Sequence, residues 1–362
     1  MSYIVPEYRN KGLFLMLGSA CNMKCNYCGQ HEMPRVKKTI SQKTLDFIQS
    51  RIDSRPEEDK YCIHFFGGEP LLYWNIIEQV VNTFGSKLIY ILTTNGKLLS
   101  EEKVEFFNKW NFHINFSNDG LYTECTGREN LLLDDDFCEL FLKIKNRTIE
   151  SLWHSYNQDF YELISWIEKR VPNTRIAHDD VNVCGGITKE LVTYFPEKLI
   201  FNENNIPKDF IECYKNSLIT PTTDYIMPMI NTIINNLETP EKQTYPKCSI
   251  LGTMLNVDLQ GNVFVCHNNG IKIGTVDDSI EFILKKLSDY WFSRREFILQ
   301  AKDCYNCDVV KFCRGGCPIE DINNKELISM ACNARRSKWN TAINSMYLVE
   351  KYLNENPTPL SS

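Results

Sequence analysis

The sequence predicts an α/β fold: a parallel sheet interleaved with helices, followed by a small cysteine-rich module. Three observations predict it. Short continuous apolar runs alternate with segments that are apolar at helical spacing. A polar or glycine-rich motif stands just after each early run, and beyond Pro246 the chain turns to Gly, Asn, Asp and Cys. Such alternation implies right-handed crossovers and a parallel sheet. Motifs that follow strands collect at the carboxyl edge of the sheet, where parallel α/β folds place their sites.

Residues 12–17 (Gly-Leu-Phe-Leu-Met-Leu) read as a buried strand that runs into a cysteine-rich loop. From Ser41, an N-cap, Leu45, Ile48 and Ile52 recur at helical spacing. Residues 62–66 are the next strand, followed by Gly67-Gly68-Glu69-Pro70 and a helix carrying Ile76, Ile77, Val80, Val81 and Phe84. Residues 88–92 form a third strand, 101–110 a third helix and 112–116 a fourth strand. A strand near 149–154 and a helix over 161–170 continue the series, and the pattern blurs over 171–245. From 246 to about 332 there is little periodicity, as expected of a metal-stapled module too small for a large core. A last helix is expected over 333–353, ahead of a polar tail. The expected division is 1–240 for the α/β domain, 246–335 for the cysteine-rich domain, and 336–362 for the helix and tail.

With 362 residues, 43% hydrophobic and 24% charged, the chain has the composition of a folded protein with one large and one smaller domain. A net charge of -6 argues against a general nucleic-acid or anionic-membrane surface, and a neutral or basic partner is easier to accommodate. No basic segment followed by an apolar run opens the chain, and no stretch reaches the roughly 18 apolar residues of a membrane span. The expected location is the cytoplasm. Fifteen cysteines in a reducing compartment point to metal binding or catalysis rather than disulfides.

Cys21-x3-Cys25-x2-Cys28 puts three thiols within one short loop, near enough to bind three corners of an iron-sulfur cube. A closed electron-transfer cluster usually takes four cysteines, so a set of three leaves one iron open to an outside ligand. The spacing also fits a zinc site completed by a distant ligand, or buried cysteines acting as small apolar fillers.

The loop Cys21-Asn22-Met23-Lys24-Cys25-Asn26-Tyr27-Cys28 resembles the signature of the radical SAM superfamily, including the aromatic residue before the third cysteine. The resemblance implies a partial (β/α)6 TIM-like barrel and a 4Fe-4S cluster on Cys21, Cys25 and Cys28. Its unique iron would chelate S-adenosylmethionine, and an electron from a reductant such as flavodoxin or ferredoxin would cleave that molecule to a 5'-deoxyadenosyl radical. It further implies that Gly67-Gly68-Glu69-Pro70 meets the methionine amino group, partly through backbone acceptors that only glycine lets approach. Thr94-Asn95-Gly96 and Ser117-Asn118-Asp119-Gly120 would face the ribose, Arg128 would answer the carboxylate, and Tyr27 joins the cofactor-binding set. Each short motif alone is an ordinary turn signal. Their order after successive strands, all downstream of the three cysteines, is harder to obtain by accident.

Cys248-x12-Gly261-x4-Cys266, then Cys304-x2-Cys307-x5-Cys313-x3-Cys317, then Cys332, follows the order of the SPASM pattern. Zinc knuckles are the competing interpretation of the Cys-x2-Cys pair. By resemblance Cys304, Cys307, Cys313 and Cys332 hold one auxiliary 4Fe-4S cluster and Cys248, Cys266 and Cys317 the other, for three clusters in all. The second set is one ligand short, because 241–247 contains no cysteine. Either Cys184 or Cys213 completes it, or an iron stays open to solvent, a substrate thiolate or an amide. The open or non-cysteine site is the preferred alternative. Auxiliary clusters, with potentials anywhere in a range of about -700 to +450 mV, can accept the electron of a substrate radical. Net oxidation is then favoured over hydrogen return.

Members of this subfamily mostly modify peptides or proteins. The resemblance therefore implies an enzyme that abstracts hydrogen from a ribosomally made peptide and completes a thioether or carbon-carbon cross-link. A sulfatase-maturing, formylglycine-forming enzyme is the alternative, and a non-catalytic iron-sulfur carrier the alternative of another class. Against formylglycine formation, His267 stands where sulfatase-maturing enzymes carry a basic aspartate. Histidine can accept a proton near neutral pH, or serve only as a hydrogen-bonded loop residue. Only 20 residues precede Cys21, whereas many peptide-modifying members carry a leader-binding domain of about 80 residues there, a normal domain size. Recognition is expected from a separate leader-binding protein, from 171–245, or from the substrate core. Trp153, Tyr156, Tyr161 and Trp166 offer a peptide cleft, or are core.

Overall fold

The computed structural model describes residues 10–32, 39–157, 160–180, 191, 206, 208–216, 227–238 and 253–356. Its first half alternates six strands with five helices: β1 (Gly12–Met16), α1 (Gln42–Asp53), β2 (Tyr61–Phe66), α2 (Trp74–Phe84), β3 (Leu88–Thr94), α3 (Glu101–Lys109), β4 (His113–Ser117), α4 (Asp135–Leu142), β5 (Asn146–Trp153), α5 (Phe160–Arg170) and β6 (Arg175–Asp180). The expected elements are there, within a few residues at their ends. Ser41 accepts from the Thr44 N–H to start α1, and α2 buries Ile76, Ile77, Val80, Val81 and Phe84. Two elements were not anticipated. α4 is signalled by Asp134, whose side chain accepts from the Asp136 and Phe137 amides, with Phe137 and Phe141 on its buried face. β6 falls where the pattern blurs.

β1 to β6 pair in parallel, in chain order. α6 (Lys208–Asn216) and α7 (Met227–Glu238) follow. β7 (Met254–Asp258) then returns to the free side of β1, also in parallel, and β8 (Asn262–Cys266) and β9 (Asn269–Thr275) extend the sheet as antiparallel neighbours. The result is one open nine-stranded sheet ordered β6-β5-β4-β3-β2-β1-β7-β8-β9. Six parallel strands with helices between them, and no closure, make it a partial barrel. Residues from β6 and from the β8–β9 turn line the same cavity, so the sheet curves around it.

The period of two along each strand sorts the side chains. Leu13, Leu15, Tyr61, Ile63 and Phe65 are buried on the helix side, where Phe65, Tyr90 and Phe112 stack. Phe14, His64, Phe66 and Thr93 face the cavity.

The cysteine-rich region departs from expectation. It contains α8 (Ile280–Ala301), α9 (Val310–Cys313) and α10 (Lys325–Glu355). α8 buries Ile280, Ile283, Leu284, Leu287 and Trp291 at a plain helical repeat that its Gly- and Cys-rich surroundings obscure. These residues join the same hydrophobic core as Leu255, Val257, Trp339 and Val349, so the module shares the barrel's core rather than depending on metal alone. α10 starts eight residues before the expected 333 and takes in Cys332. No helix among the described residues is long and apolar enough to cross a membrane.

Candidate active site

The cysteine loop leaves the carboxyl end of β1 and is tied to the turn after β2. Gly68 N–H donates to Gly18 O at 2.7 Å and Glu69 N–H to Ala20 O at 2.8 Å. Only glycine permits this approach: Gly67 has φ +140°, and a Cβ on Gly68 would lie 2.2 Å from Ala20 O. Glu69 is fully buried and receives three donors, Leu71 N–H at 2.9 Å, Thr94 Oγ1 at 2.7 Å and Asn95 N–H at 2.8 Å. Burial raises its pKa against the pull of those bonds. Glu69 thus fastens the end of β2 to the end of β3, and stands behind the cavity wall while Gly67 and Gly68 are part of it.

The far side of the loop is held by β4 and the turns after it. Asn26 N–H donates to Thr126 O at 2.8 Å. Tyr27 Oη donates to Asp119 Oδ2 at 2.8 Å and accepts from Arg128 Nη2 at 3.0 Å. Arg128 Nη1 reaches Ser117 O at 3.3 Å, and Asp119 Oδ1 accepts from Leu152 N–H at 2.8 Å. Burial pushes the Tyr27 phenol well above its ordinary value. Burial alone would depress Arg128, but Tyr27, Cys25 and Asp119 beside it outweigh that and keep it charged. Tyr27, Asn95, Ser117 and Arg128 line the cavity, and Asp119, like Glu69, braces it from behind.

Cys21, Cys25 and Cys28 all face this cavity, of about 480 Å³. Burial pushes the Cys25 thiol up to about 11, with Arg128 opposing and Cys28 adding to the rise, and raises Cys28 as well. Metal binding reverses that, since thiolate is the ligating form. Met23 N–H and Asn95 Nδ2 point at the Cys21 sulfur from 3.4 and 3.7 Å, the kind of contact that tunes an iron-sulfur thiolate. Among the described residues no three Cys, His, Asp or Glu side chains converge as ligands of a single ion do. The three-thiol donor set suits separate corners of a cube better than one zinc ion.

The cavity interior holds side chains that motif reading did not find. His64 Nε2 lies 2.8 Å from Thr93 Oγ1, which reaches Glu150 Oε2 at 3.4 Å, and Asn115 Nδ2 donates to Glu150 Oε1 at 2.6 Å. Their signal was a polar residue at an inward position of an otherwise apolar strand. His64 stacks on Phe14, and His267 packs against Phe14 and Phe66 at 4.7 and 4.6 Å. Burial lowers His64 to about 3 and His267 to about 4, so both are neutral at pH 7. Gln30 Oε1, Ser151 Oγ and His267 Nδ1 are buried and have no partner, and all three residues line the cavity. Unfilled hydrogen-bonding capacity of this kind fits a polar ligand.

Cys304, Cys307, Cys313 and Cys332 gather where the turn Cys304–Asn306, α9 and α10 meet. Burial pushes Cys304 up to about 11, and the three other thiols are close enough to add to it. Cys266 and Cys317 both stand near Tyr290, and Asn268 N–H points at the Cys266 sulfur from 3.5 Å. Cys332 packs in one apolar cluster with Tyr27 and Leu152, which joins this region to the cavity wall. Cys213 is buried in the main core, and Cys184 and Cys248 lie outside the described residues. Trp166 packs on the core and Tyr156 is exposed, neither of them on the cavity, and the side chains of Trp153 and Tyr161 lie outside the described residues.

The sequence profile of the Radical SAM superfamily matches residues 15–164, from β1 into α5. The radical SAM cyclopropyl synthase TigE of Paramaledivibacter caminithermalis is 26% identical over 335 residues, covering 85% of this chain and 67% of that protein. The cysteine-type anaerobic sulfatase-maturating enzyme of Clostridium perfringens is 22% identical over 342 residues, covering 83% and 86%. Among solved structures, native anSMEcpe with bound AdoMet and Cp18Cys peptide superimposes with a TM-score of 0.61 at 17% identity, over 94% of this chain and 99% of that one. That likeness extends past the barrel through the cysteine-rich half and shows a SPASM-type fold, and the match over 15–164, which contains the three-thiol loop, shows a radical SAM enzyme domain, a family that implies S-adenosylmethionine and a 4Fe-4S cluster.

Proposed function

We propose that this enzyme oxidatively modifies a peptide, closing a thioether or carbon-carbon cross-link in a ribosomally made substrate. The observation that carries the proposal is one cavity in which the three-thiol loop, the polar wall of Tyr27, Asn95, Ser117 and Arg128, and the unpartnered atoms of Gln30, Ser151 and His267 face one another. When bound, the cluster and S-adenosylmethionine would supply the radical chemistry for hydrogen abstraction from the substrate. In this proposal Cys21, Cys25 and Cys28 hold three irons. The Gly67–Gly68 backbone meets the methionine amino group, Asn95 and Ser117 the ribose, and Arg128 the carboxylate, with Tyr27 fixing Arg128. Glu69 and Asp119 act by positioning these groups.

Residues 1–240 would carry this chemistry. Residues 246–335 would hold two auxiliary clusters, one on Cys304, Cys307, Cys313 and Cys332 and one on Cys248, Cys266 and Cys317, with 336–362 the rest of α10 and the tail. A cyclopropyl synthase among the relatives and a peptide in the superimposed structure support carbon-carbon bond formation on a peptide. The sulfatase-maturating relative supports formylglycine formation as the second possibility. His267 packed between Phe14 and Phe66 favours the first, since an apolar setting suits a neutral ring better than a base that must become charged.

The test is anaerobic co-expression with the short reading frames beside the gene, followed by high-resolution masses of the peptides. Loss of two hydrogens that disappears in Cys25→Ala is the expected result. Unmodified peptides from an enzyme that cleaves S-adenosylmethionine would overturn the choice of substrate.

A further inference from the structure

Away from the cavity, the cysteine-rich half buries three charged side chains together. The Glu320 carboxylate receives both Lys302 Nζ and the Arg335 guanidinium, with Arg335 Nη1 at 3.2 Å from Oε2. Lys302 Nζ also donates to Gly315 O at 2.9 Å. The Lys302 and Glu320 side chains are 0% exposed and that of Arg335 9%. Two cations against one carboxylate leave a surplus of one positive charge among these three groups. Charges taken out of water are costly unless something nearby compensates them.

The surplus sits beside one set of cysteines. Lys302 precedes Cys304 by two residues, and Arg335 follows Cys332 by three, about one turn along the same face of α10. A Cβ on Gly315 would lie 4.0 Å from the Cys304 sulfur, so the residue that Lys302 holds stands against that thiol. The loop is shaped for the contact. Gly315 and Gly316 have φ +87° and +77°, and a Cβ on Gly316 would come within 2.5 Å of Arg335 Nη1. From α8, Arg294 holds the same loop by Pro318 O and Glu320 O, both at 3.0 Å. The nearby Arg336–Asp308 pair is exposed and neutral overall.

We propose that Lys302, Arg335 and Glu320 set the reduction potential of the cluster on Cys304, Cys307, Cys313 and Cys332, raising it so that this cluster takes the electron released by the substrate. The inference rests on the function proposed above, which puts a 4Fe-4S cluster on those cysteines. The step is one electron from the substrate-centred radical into the oxidised cluster, with no bond formed to the cluster, while the substrate closes its new bond and releases one proton to solvent. Reduction adds one negative charge to the cluster. A fixed positive charge in a buried, weakly screened setting stabilises the reduced form.

The experiment is an EPR-monitored potentiometric titration of the iron-loaded full chain, in a Cys21→Ala/Cys25→Ala/Cys28→Ala background that leaves only the auxiliary clusters, with Cys307→Ala identifying the signal. Lys302→Met is expected to lower the midpoint and Glu320→Gln to raise it, each by at least a tenfold shift in the reduction equilibrium, about 59 mV for a one-electron couple. The double variant Lys302→Met/Glu320→Gln restores a net charge of one and is expected back at the parent midpoint. Lys302→Arg is expected to leave it unchanged. A purely structural ion cluster predicts singles that shift in the same direction or not at all while the cluster is loaded, and either result overturns the inference alone. Iron analysis that finds no cluster on these cysteines overturns the underlying proposal as well.

Discussion

Tyr27 and Asp119 are joined by a 2.8 Å hydrogen bond from phenol to carboxylate, across 92 residues of sequence. The bond ties the cysteine loop after β1 to the turn after β4, and Arg128 closes the arrangement by donating to the same phenol. Tyr27→Phe removes the hydroxyl from both partners and leaves a carboxylate and a guanidinium under-satisfied inside the protein. The expected cost is about 1–3 kcal/mol of stability, read from denaturant midpoints, together with weaker S-adenosylmethionine binding by equilibrium dialysis. Unchanged affinity would show that Arg128 is held without Tyr27.

Glu69 accepts from three donors, and a glutamine there keeps the shape but turns one acceptor into an NH2 group facing an N–H or O–H. Glu69→Gln is expected to lower stability by about 1–3 kcal/mol. S-adenosylmethionine cleavage per folded, loaded enzyme should survive, because Glu69 lies behind the wall. A variant as stable as the parent but inactive would place Glu69 in direct contact with the cofactor instead.

Gly68→Ala puts a methyl group where Ala20 O already lies, at 2.2 Å. The cysteine loop must shift, and its thiols with it. Iron analysis after reconstitution is expected to show a deficit of about four irons per chain, one cubane of the kind three local cysteines hold, with the auxiliary iron retained. Full iron content would mean that the loop tolerates the shift.

His64 is buried neutral, with its pKa lowered to about 3. The unfolded chain binds a proton near pH 6.5 and the folded one does not, so this contribution is complete above about pH 6.5 and is lost as pH falls towards 3. At pH 5 the loss is about 2 kcal/mol. His64→Asn, which cannot titrate, is expected to flatten the pH dependence of the denaturation midpoint between pH 7 and 5. An equal slope in both proteins would place the acid sensitivity elsewhere.

The sheet and the cysteine loop were legible because each motif follows an apolar run, and strand order in a βαβ series follows chain order. Tyr27, Gly67, Gly68, Asn95, Ser117 and Arg128 meet at one cavity as that logic requires. Glu69 and Asp119 belong to the same motifs, yet their carboxylates turn to backbone N–H groups that no sequence pattern marks. His64, Thr93 and Glu150 stayed hidden because an inward polar residue in an apolar strand has meaning only once several strands curve round a common space. α8 was missed for the opposite reason. Its repeat of Ile283, Leu284, Leu287 and Trp291 is present, but the glycines and cysteines on either side suggested a module without a core.

Radical chemistry at the three-thiol loop is tested by supplying the reconstituted enzyme with S-adenosylmethionine and a strong reductant, without oxygen, and measuring 5'-deoxyadenosine. The wild-type protein should produce it, and Cys25→Ala, with its auxiliary clusters loaded, should not. No 5'-deoxyadenosine from the fully loaded wild type, or equal amounts from the variant, would contradict the assignment of Cys21, Cys25 and Cys28 as the site of cleavage.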